Sequence, residues 1–82
     1  MIISAELSLY PLSADYEPVI RYYIAALRAF EALDVRTHAM STEIYGDYDT
    51  VMAAIQSATR AVFEQDNSAV LVAKFLNRDR RV

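Results

Sequence analysis

Residues 4–11 read Ser-Ala-Glu-Leu-Ser-Leu-Tyr-Pro, and this stretch predicts the first element of the fold. Its apolar and polar residues alternate, with Ala5, Leu7 and Leu9 in one set and Ser4, Glu6, Ser8 and Tyr10 in the other. Side chains two residues apart lie on the same side of a strand, so the alternation predicts a half-buried β-strand. Pro11 has no backbone N–H to donate, and it ends the predicted strand.

A segment with helical periodicity follows this strand. Candidate N-caps occupy residues 13–15, and Pro18 falls in the first turn, where proline is favoured. Apolar residues then recur every three or four positions from Val19 to Phe30, as in an amphipathic helix. We predict a helix that ends near Ala32.

A second helix is predicted after residue 47. Asp47 or Asp49 is suited to cap it, because aspartate side chains accept hydrogen bonds from the first free N–H groups of a helix. The predicted buried stripe consists of Val51, Ile55, Ala58 and Val62. This helix is expected to end near residues 65–67.

Three further segments have the character of strands. Residues 35–40 alternate, residues 42–45 are rich in β-forming residues, and residues 68–76 alternate again. The first two of these are close enough in sequence to pair as a hairpin that turns near Ser41.

The resulting order is β-α-β-β-α-β. It predicts a ferredoxin-like α+β sandwich, in which a four-stranded antiparallel sheet carries two helices on one face. The first and last strands are then neighbours, and the other face of the sheet is open. Its predicted residues are Glu6, Ser8, Tyr10, Arg36, His38, Met40, Val72 and Lys74. This mixture of aromatic, apolar and ionisable groups predicts that a ligand or a second sheet packs there, as in a homodimer or homotetramer.

The chain has 82 residues with one glycine, two prolines and no cysteine. This length favours one domain, assigned to residues 1–77, followed by a polar basic tail at residues 78–82. The absence of cysteine excludes a disulfide framework and is typical of intracellular proteins. No apolar run reaches the length of a membrane span, and the first residues do not have the pattern of a secretory signal.

The charge distribution argues against nucleic acid as a partner. Residues 1–77 contain five basic and ten acidic residues. An acidic surface repels polyanions, and the predicted first strand carries Glu6 and Ser8 where RNA-binding modules of similar fold expose aromatic rings. A neutral or cationic small molecule is the expected partner.

Few residues of this sequence are suited to catalysis or metal binding. There is one histidine, and no metalloprotease, phosphate-loop or dinucleotide-binding motif is present. We therefore predict no catalytic residue, no metal site and no bound cofactor. His38 is interpreted as an interface residue or a ligand contact, and Tyr10 and Tyr45 have the same two interpretations.

Two motifs resemble those of a known family. Residues 8–11 read Ser-Leu-Tyr-Pro, and residues 40–47 read Met-Ser-Thr-Glu-Ile-Tyr-Gly-Asp, with Val51 following in the second helix. Both resemble the YkoF-like family, which binds thiamin and hydroxymethylpyrimidine. The resemblance implies a ferredoxin-like domain that binds this ligand without catalysis, in the cytoplasm, and acts in thiamin supply, salvage or transport. The better-known members carry two repeats, so a single-repeat chain is expected to be a homodimer or homotetramer.

The resemblance also implies a set of ligand-binding residues. The positions that match the two motifs are Ser8, Tyr10, Ser41, Thr42, Gly46 and Asp47. Glu6 and His38 join this set only because they are predicted on the open sheet face. Hydroxyl groups are expected to bind the aminopyrimidine edge, Tyr10 to stack on a ring, and a carboxylate to balance the thiazolium charge.

Two other functions remain open at this point. Small dimeric ferredoxin-like monooxygenases place a pocket between the helices and the sheet, where His38 or a tyrosine would act as the base. A regulatory module would use the open face for assembly alone and would have no ligand pocket.

Overall fold

The computed structural model describes residues 1–65 and 68–81. Its elements are β1 (Ile2–Pro11), α1 (Glu17–Arg28), β2 (Asp34–Thr37), β3 (Thr42–Asp47), α2 (Tyr48–Gln65) and β4 (Ala69–Leu76). All neighbouring strands are antiparallel, in the order β2-β3-β1-β4. The predicted ferredoxin-like α+β fold is therefore confirmed, including the pairing of the first strand with the last.

The core lies between the two helices and one face of the sheet. Its largest fully buried side chains are Leu7, Leu27, Ile44, Val51 and Val62. The whole stripe predicted for the second helix is buried in α2. Alternation along β1 and β3 directs the remaining side chains to the opposite face, which neither α1 nor α2 covers.

The first helix is shorter than predicted. It ends at Arg28, because the N–H of Phe30 bonds to the carbonyl of Leu27, and the N–H of Leu33 bonds to the carbonyl of Phe30. These hydrogen bonds join residues three apart, as in a 3₁₀ turn, so the α-helical pattern is not continued. Leu33 is buried just before β2 begins. The predicted caps at residues 13–15 lie outside the helix, whose N-cap is Tyr16, without a side-chain cap bond.

The second strand also ends early. β2 stops at Thr37, and residues 38–41 form the connection to β3, closed by a 2.8 Å hydrogen bond from the His38 N–H to the Ser41 carbonyl. His38 and Met40, which the alternation assigned to a strand, therefore lie in the hairpin loop.

The start of α2 agrees with one of the two predicted caps. Asp47 Oδ2 accepts a hydrogen bond of 3.1 Å from the Asp49 N–H. Gly46 precedes this cap. A side chain is disfavoured at this position, because a Cβ there would lie 2.5 Å from Leu33 Cδ2. The helix ends at Gln65, and residues 66 and 67 of the predicted end lie outside the described residues.

The C-terminal tail follows β4 back across the open face. Ser4 Oγ donates to the Arg78 carbonyl at 2.6 Å and accepts from the Arg80 N–H at 2.9 Å. The Arg81 guanidinium lies 5.7 Å from the centre of the Tyr45 ring. Its hydrogen bonds to Asp79 lower the pKa of that carboxyl to about 2. Backbone and charge contacts of this kind have no hydrophobic periodicity, so the sequence alone did not reveal them.

Candidate functional site

The sheet has a step at the end of β1. β3 pairs with β1 only as far as the partners Leu7 and Thr42, whereas β4 pairs with β1 as far as Pro11 and Ala69. Because the hairpin turns at residues 38–41, the last four residues of β1 have a strand partner on one edge only. The hairpin loop and α1 flank the gap on the other edge.

A cavity of about 480 Å³ opens at this step. Its apolar wall is formed by Leu7, Leu9, Ile20, Tyr23 and Ile24, and its polar side by Ser8, His38, Ser41 and Thr42. Tyr10, Tyr16 and Met40, which also line it, are exposed to solvent. Cavities of this size are usual for small-molecule ligands, and this one combines apolar walls with a few polar groups, as such sites do.

No Asp, Glu, Lys or Arg is among the described residues that line this cavity. Two of its polar side chains instead contact carboxylates outside it. Ser41 Oγ donates to Glu6 Oε2 at 3.2 Å, and His38 Nε2 lies 3.2 Å from Glu43 Oε1. The lining therefore has no formal charge when His38 is neutral. Negative charge lies just outside it, on the carboxylates of Glu6 and Glu43 that contact Ser41 and His38.

Glu43 is the centre of a hydrogen-bonded group on the open face. Tyr45 Oη donates to Glu43 Oε1 at 2.5 Å. This bond, followed by that of His38, lowers the pKa of the Glu43 carboxyl, and the same bond raises the pKa of Tyr45. Glu43 is not among the site residues predicted from the sequence. The alternation of residues 43 and 45, which places both on one side of a strand, is the signal that brings them together.

Replacing Tyr45 with phenylalanine is expected to raise the pKa of Glu43 toward its ordinary value, because the largest cause of the lowering is lost. A carboxyl whose pKa is lowered by folding stabilises the folded state above its unfolded-state pKa, and this contribution disappears as the pH falls through the folded-state value. The measurement is a carbon-detected NMR titration of the Glu43 carboxyl, with Tyr48→Phe as the control. An unchanged Glu43 pKa in Tyr45→Phe would contradict the assignment.

Five of the eight predicted ligand-binding residues line the cavity together: Ser8, Tyr10, His38, Ser41 and Thr42. Glu6 lies on the open face, where it accepts from Ser41 Oγ and lies 3.4 Å from Lys74 Nζ.

The structure does not bring Gly46 and Asp47 into the cavity. They pair with Ile3 and Ile2, which lie five and six residues from Ser8 along β1, or roughly 16 to 20 Å of strand. Each has a structural role instead. Asp47 caps α2, and Gly46 leaves room for the Leu33 side chain. A motif of consecutive residues along a strand extends away from the turn, so only its first part reaches the cavity.

The α1 wall was not predicted as part of the site. Ile20, Tyr23 and Ile24 have helical spacing, and that pattern is the same for residues that fill a core and residues that line a cavity. Tyr23 shares a hydrogen bond of 3.0 Å with Thr59 Oγ1, and burial raises the pKa of its hydroxyl.

The family pattern described as "thiamine-binding protein" matches residues 5–80. The chain belongs to this family. The resemblance inferred from residues 8–11 and 40–47 is thereby confirmed. No functionally curated protein matches the chain.

Solved structures similar to this member of the thiamine-binding protein family cover nearly all of it. A hypothetical protein from Methanocaldococcus jannascii has 26% identity and a TM-score of 0.84, with 99% of this chain and 84% of that chain covered. A protein from Streptococcus pneumoniae has 21% identity and a TM-score of 0.88, with 98% and 90% covered. A Thermotoga maritima protein, proposed to act in thiamine biosynthesis or salvage, has 14% identity and a TM-score of 0.84, with 95% and 85% covered. The last two likenesses establish the fold alone.

The described residues contain neither a metal-binding cluster nor a membrane-spanning helix. In residues 1–65 and 68–81, no group of three or more His, Asp or Glu side chains is arranged to hold a metal ion. Within the same part of the chain, no helix is long and apolar enough to span a membrane.

Proposed function

We propose that this protein binds unphosphorylated thiamin or its hydroxymethylpyrimidine moiety in the cavity at the sheet step, without transforming it. The observation that carries the proposal is the composition of the lining, in a chain of the thiamine-binding protein family. Apolar walls face a cluster of hydroxyl groups and one imidazole, and none of the described residues of the lining is an Asp, Glu, Lys or Arg. Such a protein would serve in thiamin supply, salvage or transport, in the cytoplasm.

The aminopyrimidine ring fits this composition. Its faces are suited to apolar side chains such as Ile24, and the ring nitrogen farther from its amino group to the hydroxyl group of Ser41 or Thr42. The cationic thiazolium ring would lie toward the exposed Tyr10, where ring contacts stabilise cations. Glu6 and Glu43 lie behind the polar side and supply the favourable negative potential.

The same lining argues against phosphorylated forms of the ligand. Proteins bind phosphate strongly through the charged side chains of Arg and Lys. No Arg or Lys lies among the described residues of the lining, and the polar side chains are backed by carboxylates that repel an anion. We therefore expect thiamin to bind more tightly than thiamin monophosphate.

The test is titration calorimetry with thiamin, hydroxymethylpyrimidine and thiamin monophosphate separately. We expect saturable micromolar binding at one site per subunit for at least one of the two unphosphorylated ligands. Absence of heat and of any thermal shift with both would overturn the proposal. Oxygen uptake with an electron-rich aromatic compound would support the monooxygenase alternative instead, in which His38 acts as the base.

We further propose that two copies associate through the open sheet face. That face exposes Ile2, Tyr10, Val70, Val72 and Leu76, each at least 40% accessible. The occupant we favour is a second copy of the chain because the charges across the sheet are self-complementary. The row reads Arg36, Glu43, Glu6 and Lys74, which places two negative charges between two positive ones. An offset copy of the same row would set positive groups against negative ones.

Replacing Val72 with glutamate is expected to weaken self-association at least tenfold, because a charge would be buried in an apolar interface. Val72 is 47% exposed, so the folded monomer should tolerate the change. The measurement is light scattering during size-exclusion chromatography over a range of concentrations. Ala53→Glu, on the exposed side of α2, is the control. Equal masses for both variants and the parent chain would contradict this interface.

A further inference from the structure

The sheet step determines where the backbone groups of β1 point. Beside β4, the Leu12 N–H bonds to the Ser68 carbonyl at 2.9 Å, one position beyond the pair Pro11 and Ala69. Hydrogen-bonded and non-hydrogen-bonded pairs alternate along an antiparallel ladder. Tyr10 therefore bonds to β4, whereas Leu9 directs its N–H and C=O to the other edge of β1.

The β3 side gives the same assignment independently. There the Tyr48 N–H bonds to the Met1 carbonyl at 2.9 Å. The odd-numbered residues of β1 therefore direct their backbone N–H and C=O groups toward β3. Leu7 meets Thr42 in this way. Leu9 is the next odd-numbered residue, and β3 has already turned away at that point. Pro11, which has no N–H, occupies the following position on the same edge.

Leu9 thus presents one backbone donor and one backbone acceptor side by side on the edge of β1 that borders the cavity. Neither group has a backbone partner among residues 1–65 and 68–81. Buried backbone groups are nearly always hydrogen-bonded, so closure of this half-buried site over a ligand requires the ligand to bond to them.

We propose that the Leu9 N–H and C=O bind the edge of a 4-aminopyrimidine ring. This inference rests on the proposed function and deepens it. The Leu9 N–H donates to a ring nitrogen, and the exocyclic amino group donates to the Leu9 carbonyl. The ligand then occupies the place of the missing β3 residue in the ladder, as a strand added to an open sheet edge does.

The arrangement has a consequence for ligand selectivity. A 4-oxo pyrimidine has an N–H donor where the 4-amino compound has an acceptor, and a carbonyl acceptor where the amino compound has a donor. Both of its groups would meet a like group of Leu9, and buried polar groups would remain unpaired. We expect thiamin to bind at least tenfold more tightly than its 4-oxo analogue.

The decisive experiment replaces the Leu9 amide with an ester, by incorporation of the α-hydroxy analogue of leucine in the full chain. This change removes the N–H and keeps the side chain. The matched control is the same replacement at Leu71, which pairs with Leu9 across the ladder and whose N–H points to the outer edge of β4. Each ester also weakens one carbonyl of the same β1–β4 ladder, so the two variants should have similar stability.

Titration calorimetry with thiamin gives the readout. We expect at least tenfold weaker binding for the Leu9 ester and unchanged binding for the Leu71 ester. If the unmodified chain binds thiamin and the Leu9 ester binds it equally well, the role of Leu9 is overturned and the proposed function stands. If the unmodified chain binds neither thiamin nor hydroxymethylpyrimidine, both are overturned.

Discussion

Replacing Leu27 with alanine is expected to lower the free energy of unfolding by about 2–5 kcal/mol. Leu27 is 0% exposed and belongs to the core between α1, α2 and the sheet. Truncation removes apolar contacts and leaves a cavity that the surrounding backbone can close only in part. Neither end of this range is small for a domain of 82 residues, whose total stability is about 4–12 kcal/mol on a per-residue basis.

The measurement is urea unfolding followed by circular dichroism. Leu12→Ala is the matched control, because Leu12 is 63% exposed and its truncation should change the free energy of unfolding only slightly. A loss below about 1 kcal/mol for Leu27→Ala would mean that this part of the core repacks without a cavity. The helix-to-sheet packing described above would then be wrong at α1.

Replacing Thr42 with valine is expected to weaken thiamin binding by about 1–3 kcal/mol, or roughly 5- to 150-fold. Thr42 is 8% exposed, lies opposite Leu7 at the last β3 position before the step, and lines the cavity. Valine has nearly the same shape, so the principal loss is the hydroxyl group. A ligand atom that bonds to this hydroxyl would lose that partner in the complex.

The affinity is measured by titration calorimetry, with two controls. Thr42→Ser keeps the hydroxyl group and should retain most of the affinity. Asp47→Ala removes the α2 cap and should cost about 0.5–2 kcal/mol of stability with no change in affinity, because Asp47 lies at the far end of β3. Full affinity in Thr42→Val would remove its hydroxyl from the site, and weaker binding in Asp47→Ala would place Asp47 back in it.

The candidate site could be predicted in part because of how its motifs lie in the chain. Ser8 and Tyr10 end one strand, and Ser41 and Thr42 begin another, so an antiparallel pairing of the two strands brings them together. Gly46 belongs to the same sequence motif, yet strand geometry carries it away from the turn at about 3.3 Å per residue. Residues that are close to the hairpin in sequence therefore lie at the cavity, whereas those farther along β3 do not.

The sequence by itself determined the element order, the ferredoxin-like fold and the family. These depend on periods of two and of about 3.6 residues, which one face buried in a core imposes on each element. Only the tertiary structure decided that β1 continues beyond Leu7, where its pairing with β3 ends, and that a cavity opens beside the unpaired residues. It also placed Glu6 and Glu43 behind the lining, and returned the tail to Ser4. Strand register, backbone hydrogen bonds and contacts between distant polar groups leave no periodic trace in a sequence, because each is set by where other elements lie.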